Sequence, residues 1–238
     1  MPSENAAASL PQLPRDLQPD HSEFLRALAS PPGRAALDPE AIARLTRFGH
    51  LVYSAARELS LVAKGDRPSI FTRHVLDSLN PLALFGTAPA AALDIGSGGG
   101  FPGIPLAIAW PDTTVTLLES RERKAGFLER VVRVIGLRNV RVVCARLEEY
   151  GKAWRAEPQA LVFVRAVGSL PELLRAAAPA CAEDARWVYF LGGSAGEVKV
   201  IAALEAKGLS ARVEAGSFGG RMLYGDIPRR ATDGSTPD

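Results

Sequence analysis

Apolar residues recur along this chain with two different periods, and the change between them falls near residue 90. From Ser22 to Ala29 and from Pro39 to Leu61 the spacing is helical, with Ile42, Leu45, Phe48, Leu51 and Val52 at three- and four-residue steps. A loop through Lys64-Gly65-Asp66-Arg67-Pro68 leads to another predicted helix, Ile70 to Phe85. From Ala91 the beat becomes short apolar runs alternating with amphipathic stretches. Strands are predicted at 91–95, 114–118, 140–144, 160–164 and 186–191, and helices at 103–110, 121–136, 147–154, 169–179 and 195–207. Two late strands, near 210–216 and 221–225, would close an edge as a hairpin through Gly219-Gly220. Alternation of this kind implies an α/β fold, a doubly wound, mostly parallel sheet with right-handed crossovers. The expected layout is a disordered tail over 1–21, a small helical N-terminal cap over 22–88, an α/β domain over 89–227 and a loose tail over 228–238. Pro2, Pro11, Pro14 and Pro19 motivate the first boundary.

Composition narrows the class. With 238 residues and 47% apolar content the chain can bury a sizeable core, and no run approaches the length of a membrane span. The first twenty residues lack a basic stretch followed by an apolar one, so a cytoplasmic protein without membrane contact is expected. Cys144 and Cys181 give neither a disulfide framework nor a metal set, and with three histidines no metal site is expected. The net charge of +2 announces no partner. Its distribution says more: between Arg121 and Arg146 stand eight basic residues against Glu122 and Glu129. Such an excess can hold phosphates, or form only a solvated face.

The candidate chemistry is concentrated where the first strand ends. Ala91-Ala92-Leu93-Asp94-Ile95 runs into Gly96, Gly98, Gly99 and Gly100, four glycines within five residues, and then Phe101-Pro102-Gly103-Ile104-Pro105. Strand, glycine loop and helix form the first unit of a nucleotide-binding fold, where a Cβ would keep the backbone from its ligand. A dinucleotide and the adenosyl cofactor of methyl transfer compete for the site. A dinucleotide wants an open helix N-terminus for its pyrophosphate, but Pro102 and Pro105 remove two donors there. The methyl-transfer reading is favoured.

Three later strand ends add to the picture. Glu119 follows the second strand, 23 residues after Gly96, where an acid meets ribose hydroxyls; the alternative is a helix N-terminal charge beside Ser120. Lys124, in the first turn of the next helix, opposes the helix dipole, which suggests a role on the ligand side. Cys144-Ala145-Arg146-Leu147-Glu148 follows the third strand, where backbone and an acid can pin an adenine edge. Val164-Arg165-Ala166 follows the fourth. It carries neither the Asn-Pro-Pro-type turn of exocyclic-amine methylation nor a cysteine nucleophile. The surviving acceptor is an atom that already owns a lone pair, such as a ring nitrogen.

Asp94-Ile-Gly-Ser-Gly-Gly-Gly-Phe-Pro-Gly-Ile-Pro-Leu-Ala-Ile108, then Leu118-Glu119-Ser120 with Arg123-Lys124 and Phe127-Leu128, resembles the small-subunit ribosomal RNA guanine-N7 methyltransferase family, also called glucose-inhibited division protein B. Arg73-His74-Val75-Leu76-Asp77-Ser78-Leu79, Gly136-Leu137-Arg138-Asn139-Val140 and Arg165-Ala166-Val167 match too, so the similarity covers roughly residues 40 to 195. The resemblance implies a Rossmann-like class I methyltransferase fold, S-adenosylmethionine as cofactor, and a guanine of 16S rRNA as target, in free RNA or a small-subunit precursor. On this reading Asp94, Gly96, Gly98, Phe101, Glu119, Leu147, Glu148 and Arg165 line the cofactor pocket. Arg73, His74, Arg123 and Lys124 are expected to hold RNA phosphates or the target base. No residue is expected to act as a general base, and the protein is expected to be a monomer. A small-molecule methyltransferase, or an RNA-associated cofactor-binding protein without turnover, would share these features. The chain departs from the family at three places: Ser60-Leu61-Val62 where Asn-Leu-Thr is usual, Leu147 where Ala is usual, and Leu191-Gly192-Gly193 where Lys-Gly is common.

Overall fold

The computed structural model describes residues 12–30, 37–153, 158–165, 168–191 and 194–228. The outer parts of both expected tails, Ala166 after the fourth strand, and Gly192-Gly193 lie outside the described residues. Seven strands form one sheet: β1 (Ala91–Ile95), β2 (Thr114–Leu118), β3 (Val140–Val143), β4 (Gln159–Arg165), β5 (Cys181–Leu191), β6 (Arg212–Ala215) and β7 (Arg221–Asp226). Their order is β3-β2-β1-β4-β5-β7-β6, and only β7 runs antiparallel to its neighbours. The order reverses between β1 and β4, so the crevice at their carboxyl ends is where a doubly wound sheet binds its ligand.

Five α-helices follow the strands and two precede them: α1 (Gln18–Leu28), α2 (Pro39–Leu59), α3 (Gly103–Ala109), α4 (Glu122–Ile135), α5 (Leu147–Ala153), α6 (Leu170–Ala177) and α7 (Ser194–Glu205). In α4, Ala125, Phe127, Leu128, Val131 and Ile135 are buried while Arg123, Arg130 and Arg133 face outward, as the apolar spacing requires. Gly136 ends the helix at φ 77°, a left-handed turn that suits a residue without Cβ. α2 is opened by Pro39 in its first turn and by the Asp38 carboxylate, which accepts from the Ala41 amide at 2.7 Å.

Three expectations change. α1 begins at Gln18 rather than Ser22, so residues 12–21 are not part of a disordered tail. Leu17 and Phe24 are fully buried, the Asp16 carboxylate accepts from Tyr53, and Asp20 accepts from the amides of Phe71 and Thr72 at 2.7 and 3.1 Å. Proline spacing alone gave no sign of these long-range bonds. The helix predicted from Ile70 to Phe85 is instead two short pieces, a π turn over Phe71–Leu76 and 3₁₀ turns over Asp77–Ala83, and the loop expected before it carries 3₁₀ turns over Lys64–Ser69. Pro81 withholds an amide that a continuous α-helix would use, and Pro68 does the same for the turns before it. Finally, the fifth strand starts at Cys181 rather than 186: its first residues pair with β4 at Gln159, but exposed Glu183 and Asp184 interrupt the apolar run there.

The cap is not a separate body. Phe24, Phe48, Val52, Phe71 and Val75 of the N-terminal segments share one apolar cluster with Ile104, Val115, Leu117 and Phe163. The other face of the sheet is covered by a second cluster that includes Leu147, Tyr150, Leu174, Trp187 and Leu204.

Gly103 is a tight joint in this arrangement. A Cβ there would stand 2.3 Å from Leu117 Cδ2 and 2.7 Å from Asp94 Oδ2. Gly103→Ala is expected to destabilise the protein by about 1–3 kcal/mol, the scale of core overpacking. Urea unfolding checks this, and an unchanged midpoint would contradict the packing.

Candidate active site

The glycine loop is fixed at both ends by backbone bonds. Gly96 and Ser97 both donate to the Leu118 carbonyl, at 2.8 and 3.1 Å, which ties the end of β1 to the end of β2. Gly96, Gly98 and Gly100 have φ of 70°, 55° and 92°. Only glycine takes up such a run of left-handed positions without strain. The N-terminal donors of α3 are spent inside the protein: Gly103 N donates to Asp94 Oδ2 at 3.1 Å and Ile104 N to Gly100 O at 2.9 Å. No open helix terminus remains for a pyrophosphate there, which bears out the choice against a dinucleotide.

A cavity of about 800 Å³ lies over the loop. Gly96, Gly98 and Phe101 form its floor, Glu119 and Lys124 one side, and His74 and Arg165 another. The opposite wall is the stretch Ser60 to Lys64 with Asp66. Sequence reasoning noted Ser60 to Val62 only as a departure, because nothing in the spacing says that the end of α2 returns to the loop. The structure shows the tie: Lys124 Nζ donates to the Ser60 carbonyl at 3.2 Å. Ser60 is the one non-glycine residue with positive φ, 49°, among the described residues. Asparagine tolerates that conformation better than serine, so an asparagine here has a physical reason.

Glu119 is 6% exposed, and each of its oxygens accepts one backbone amide, Gly98 and Arg121, both at 2.9 Å. A carboxylate has roughly four acceptor positions, so capacity remains on the cavity side. The two amide bonds hold it against the loop.

Asp94, Leu147, Glu148 and Arg123 are not among the residues lining this cavity. Asp94 is fully buried behind the loop, where burial pushes its pKa up to about 7, opposed by the Gly103 and Ser97 hydrogen bonds; its Oδ1 has no hydrogen-bond partner. It positions the loop and α3 rather than touching a ligand. Leu147 belongs to the core on the far face, and Glu148 is exposed at the start of α5. Arg123 is exposed and pairs with Glu58 at 3.2 Å, joining α4 to the end of α2.

Beside the first cavity opens a second, of about 590 Å³, which shares Asp66, His74 and Arg165 with it. Arg165 is held by Asp77 Oδ2 at 2.9 Å and the Arg73 carbonyl at 3.0 Å, with its guanidinium 5.4 Å from the Phe190 ring centre. Burial pushes the Asp77 carboxyl up, and the adjacent Arg165 opposes that shift. The His74 ring lies tilted against Phe101, with centroids 5.2 Å apart, and its Nδ1 lies 3.4 Å from Arg165 Nη2. A guanidinium only donates, so this contact assigns the lone pair to Nδ1 and the proton to Nε2. Burial, then the Arg165 charge, lowers the His74 pKa to about 4, so the ring is neutral near pH 7. Arg73 is exposed, pairs with Asp66 at 2.7 Å and lines only the second cavity.

Sheet order, glycine loop and the acid after β2 define the fold of the Rossmann-like S-adenosylmethionine-dependent methyltransferases. A solved SAM-dependent methyltransferase from Aquifex aeolicus superposes with a TM-score of 0.56 at 19% identity, covering 69% of this chain and 96% of that one. Within that class, the model of the family GidB, rRNA small subunit methyltransferase G, matches residues 41–209, and the chain belongs to this family. It is 35% identical over 188 residues to ribosomal RNA small subunit methyltransferase G of Roseiflexus castenholzii, covering 79% of this chain and 76% of the relative. To the protein of the same name from Sorangium cellulosum it is 39% identical over 181 residues, covering 75% and 74%.

Glu119→Ala is expected to weaken S-adenosylhomocysteine binding by about 1–3 kcal/mol, with partial recovery in Glu119→Gln, whose amide oxygen still accepts. Calorimetry with both variants matching the parent would leave Glu119 a loop fastener only. Asp94 gives a second expectation. Its folded-state pKa of about 7 stands above the usual 3.8, so the folded protein holds a proton that the unfolded chain releases. That contribution is full below about 4 and is lost as pH rises through about 7. Relative to Asp94→Asn, the parent should therefore lose stability between pH 5 and 7.5. Parallel urea midpoints for the two proteins across that range would refute it.

Proposed function

We propose that this protein transfers the methyl group of S-adenosylmethionine to N7 of one guanine in 16S rRNA, acting in the cytoplasm on free RNA or a small-subunit precursor. The observation that carries the reading is the meeting of two cavities at Asp66, His74 and Arg165, one over the glycine loop and one beside it. The residues of the first fit the cofactor. The loop offers a floor without side chains, Glu119 keeps acceptor capacity for two hydroxyls, and the cavity has the size of a small-molecule site. When bound, S-adenosylmethionine supplies a sulfonium methyl, whose carbon–sulfur electron pair stays on sulfur as the N7 lone pair forms the new bond.

The chain's own task is then alignment and exclusion of water. His74, packed at a tilt against Phe101, stands where the two cavities meet, and Arg165 is anchored there by Asp77. Because N7 has no proton to lose, no base is required. His74 suits this: it is neutral at working pH, and its Nδ1 faces a guanidinium, so it is a poor proton acceptor.

Small ribosomal subunits lacking the modification, incubated with the protein and S-adenosylmethionine, should yield a single 7-methylguanine by mass spectrometry of nuclease fragments. A methyl group on another atom, or on no RNA, would overturn the reading. The single-turnover rate should be nearly flat between about pH 6 and 9, since His74 titrates well below that window. His74→Gln should keep measurable transfer and the same flat profile. A rate that rises through one ionisation, and loses that dependence in His74→Gln, would mean that a proton leaves the acceptor.

A further inference from the structure

The second cavity carries features that the methyl donor does not need. Its outer wall is the turn between β6 and β7, which brings Phe218, Gly219, Gly220 and Arg221 to face His74 and Arg165. This turn is fastened. The Asn80 side chain accepts from the Phe218 amide at 2.9 Å and donates to the Gly219 carbonyl at 2.7 Å, and Asn80 is itself 1% exposed. A Cβ on Gly216 would stand 2.4 Å from the Asn80 amide, and one on Gly220 would stand 2.4 Å from Asp77 Oδ1. A buried asparagine with both ends of its amide committed to one turn fixes the half-buried Phe218 ring at the cavity wall.

Across from that ring stands an unusual pair. The proton-bearing Nε2 of His74 is buried and has no hydrogen-bond partner. The Asp66 carboxylate, with Oδ2 3.4 Å away, is its electrostatic neighbour in a long, poorly aligned contact. The donor is thus held by one long contact to a carboxylate, which leaves both groups able to take up a ligand with a matching acceptor and donor side by side. Donor and carboxylate side by side complement the Watson–Crick edge of guanine, which offers the O6 acceptor next to the N1–H and N2–H donors. Adenine presents a donor at the first position and a bare acceptor at the second, and would meet like against like. Recognition through this edge leaves N7 free.

We propose that the second cavity seats the guanine that is methylated, with Phe218 stacking on the base and Asp66 and His74 reading its Watson–Crick edge. This rests on the methyl-transfer reading above. Asp77 and Arg165 are committed to each other and shape the pocket rather than read the base. Arg221 is drawn toward Glu197, 3.0 Å away, and leaves the pocket's centre to the aromatic ring.

Inosine in place of guanine tests this, because it keeps N7, O6 and N1–H and lacks only the 2-amino group. Small subunits are reconstituted with 16S rRNA carrying inosine at the guanine mapped by mass spectrometry. Methylation is then measured as kcat/KM, and binding by the S-adenosylhomocysteine-loaded protein is measured by filter retention. The parent should prefer guanine by about 5- to 150-fold, the scale of one lost hydrogen bond to a carboxylate, and the preference should collapse in Asp66→Asn. Phe218→Ala should weaken both substrates alike by about 5- to 150-fold, the scale of base stacking on an aromatic ring. Its affinity for S-adenosylhomocysteine should be unchanged, and Phe218→Trp should restore RNA binding. Equal use of guanine and inosine by the parent, or a preference that survives in Asp66→Asn, would overturn the role of Asp66. Should Asp66→Asn fail to fold, Phe218→Ala still decides whether the base lies here, and binding like the parent's would overturn the proposal. A parent that methylates neither the natural nor the substituted subunit refutes the methyl-transfer reading instead.

Discussion

One carbonyl oxygen organises this site. Leu118 O accepts from both Gly96 and Ser97, so the loop that leaves β1 is bound to the end of β2 before it turns away. The next residue is Glu119, which the same geometry places against Gly98. The acid and the glycine loop are therefore brought together by the register of two neighbouring parallel strands, Ile95 beside Leu118. On the far side Asp94 holds the first amide of α3, and the absence of a side chain at Gly103 lets strand and helix approach. A slip of one residue in β1 or β2 would turn the pattern inside out. The function of the loop depends on the sheet before it depends on any ligand.

That dependence explains what could be read from the chain. Strand, glycine run, strand and acid are local patterns, and β1 and β2 lie where their apolar runs put them. Gly96, Gly98, Phe101, Glu119 and Arg165 were expected at the pocket on the same local grounds and on family resemblance, and they do line it. The Asp94 and Leu147 side chains do not line it, because position at a strand end does not tell which way a side chain faces. Asp94 points behind the loop to Gly103, and Leu147 points into the core of the opposite face. Lys124, expected to hold RNA, lines the cavity over the glycine loop and bonds to the Ser60 carbonyl. Its neighbour Arg123, one residue round the helix, faces solvent and Glu58 instead.

What the sequence could not disclose is long-range. Nothing local links Asp20 to Phe71, fifty-one residues on, or Asn80 to Phe218, 138 residues on. Both bonds join segments of weak periodicity to the irregular helical stretch between Lys64 and Ala83. That stretch departs from an α-helix because two prolines and a π turn interrupt it, and π turns concentrate at functional sites. Here the π turn carries His74, which lines both cavities, and Arg73, which lines the second. Local irregularity and remote anchoring are two aspects of one arrangement: the backbone is held out of regular helix so that these side chains meet β4.

The balance of charge at this junction suits a reaction that makes a cation. Methylation of a ring nitrogen through its lone pair leaves a fixed positive charge on the base, with no proton released to compensate. A site of several buried guanidinium groups without acids would oppose that product. Here Arg165 is matched by Asp77 at 2.9 Å. Arg73, which pairs with Asp66, is 63% exposed and hydrated at the rim. Asp66 itself is only 21% exposed, so a base that donates to its carboxylate would have to take over the role that Arg73 fills at 2.7 Å. His74, kept neutral by burial and by Arg165, adds no charge of its own. The carboxylate of Asp66 is then the group left to face the cationic product, which joins recognition of the base to tolerance of the charge that the reaction creates.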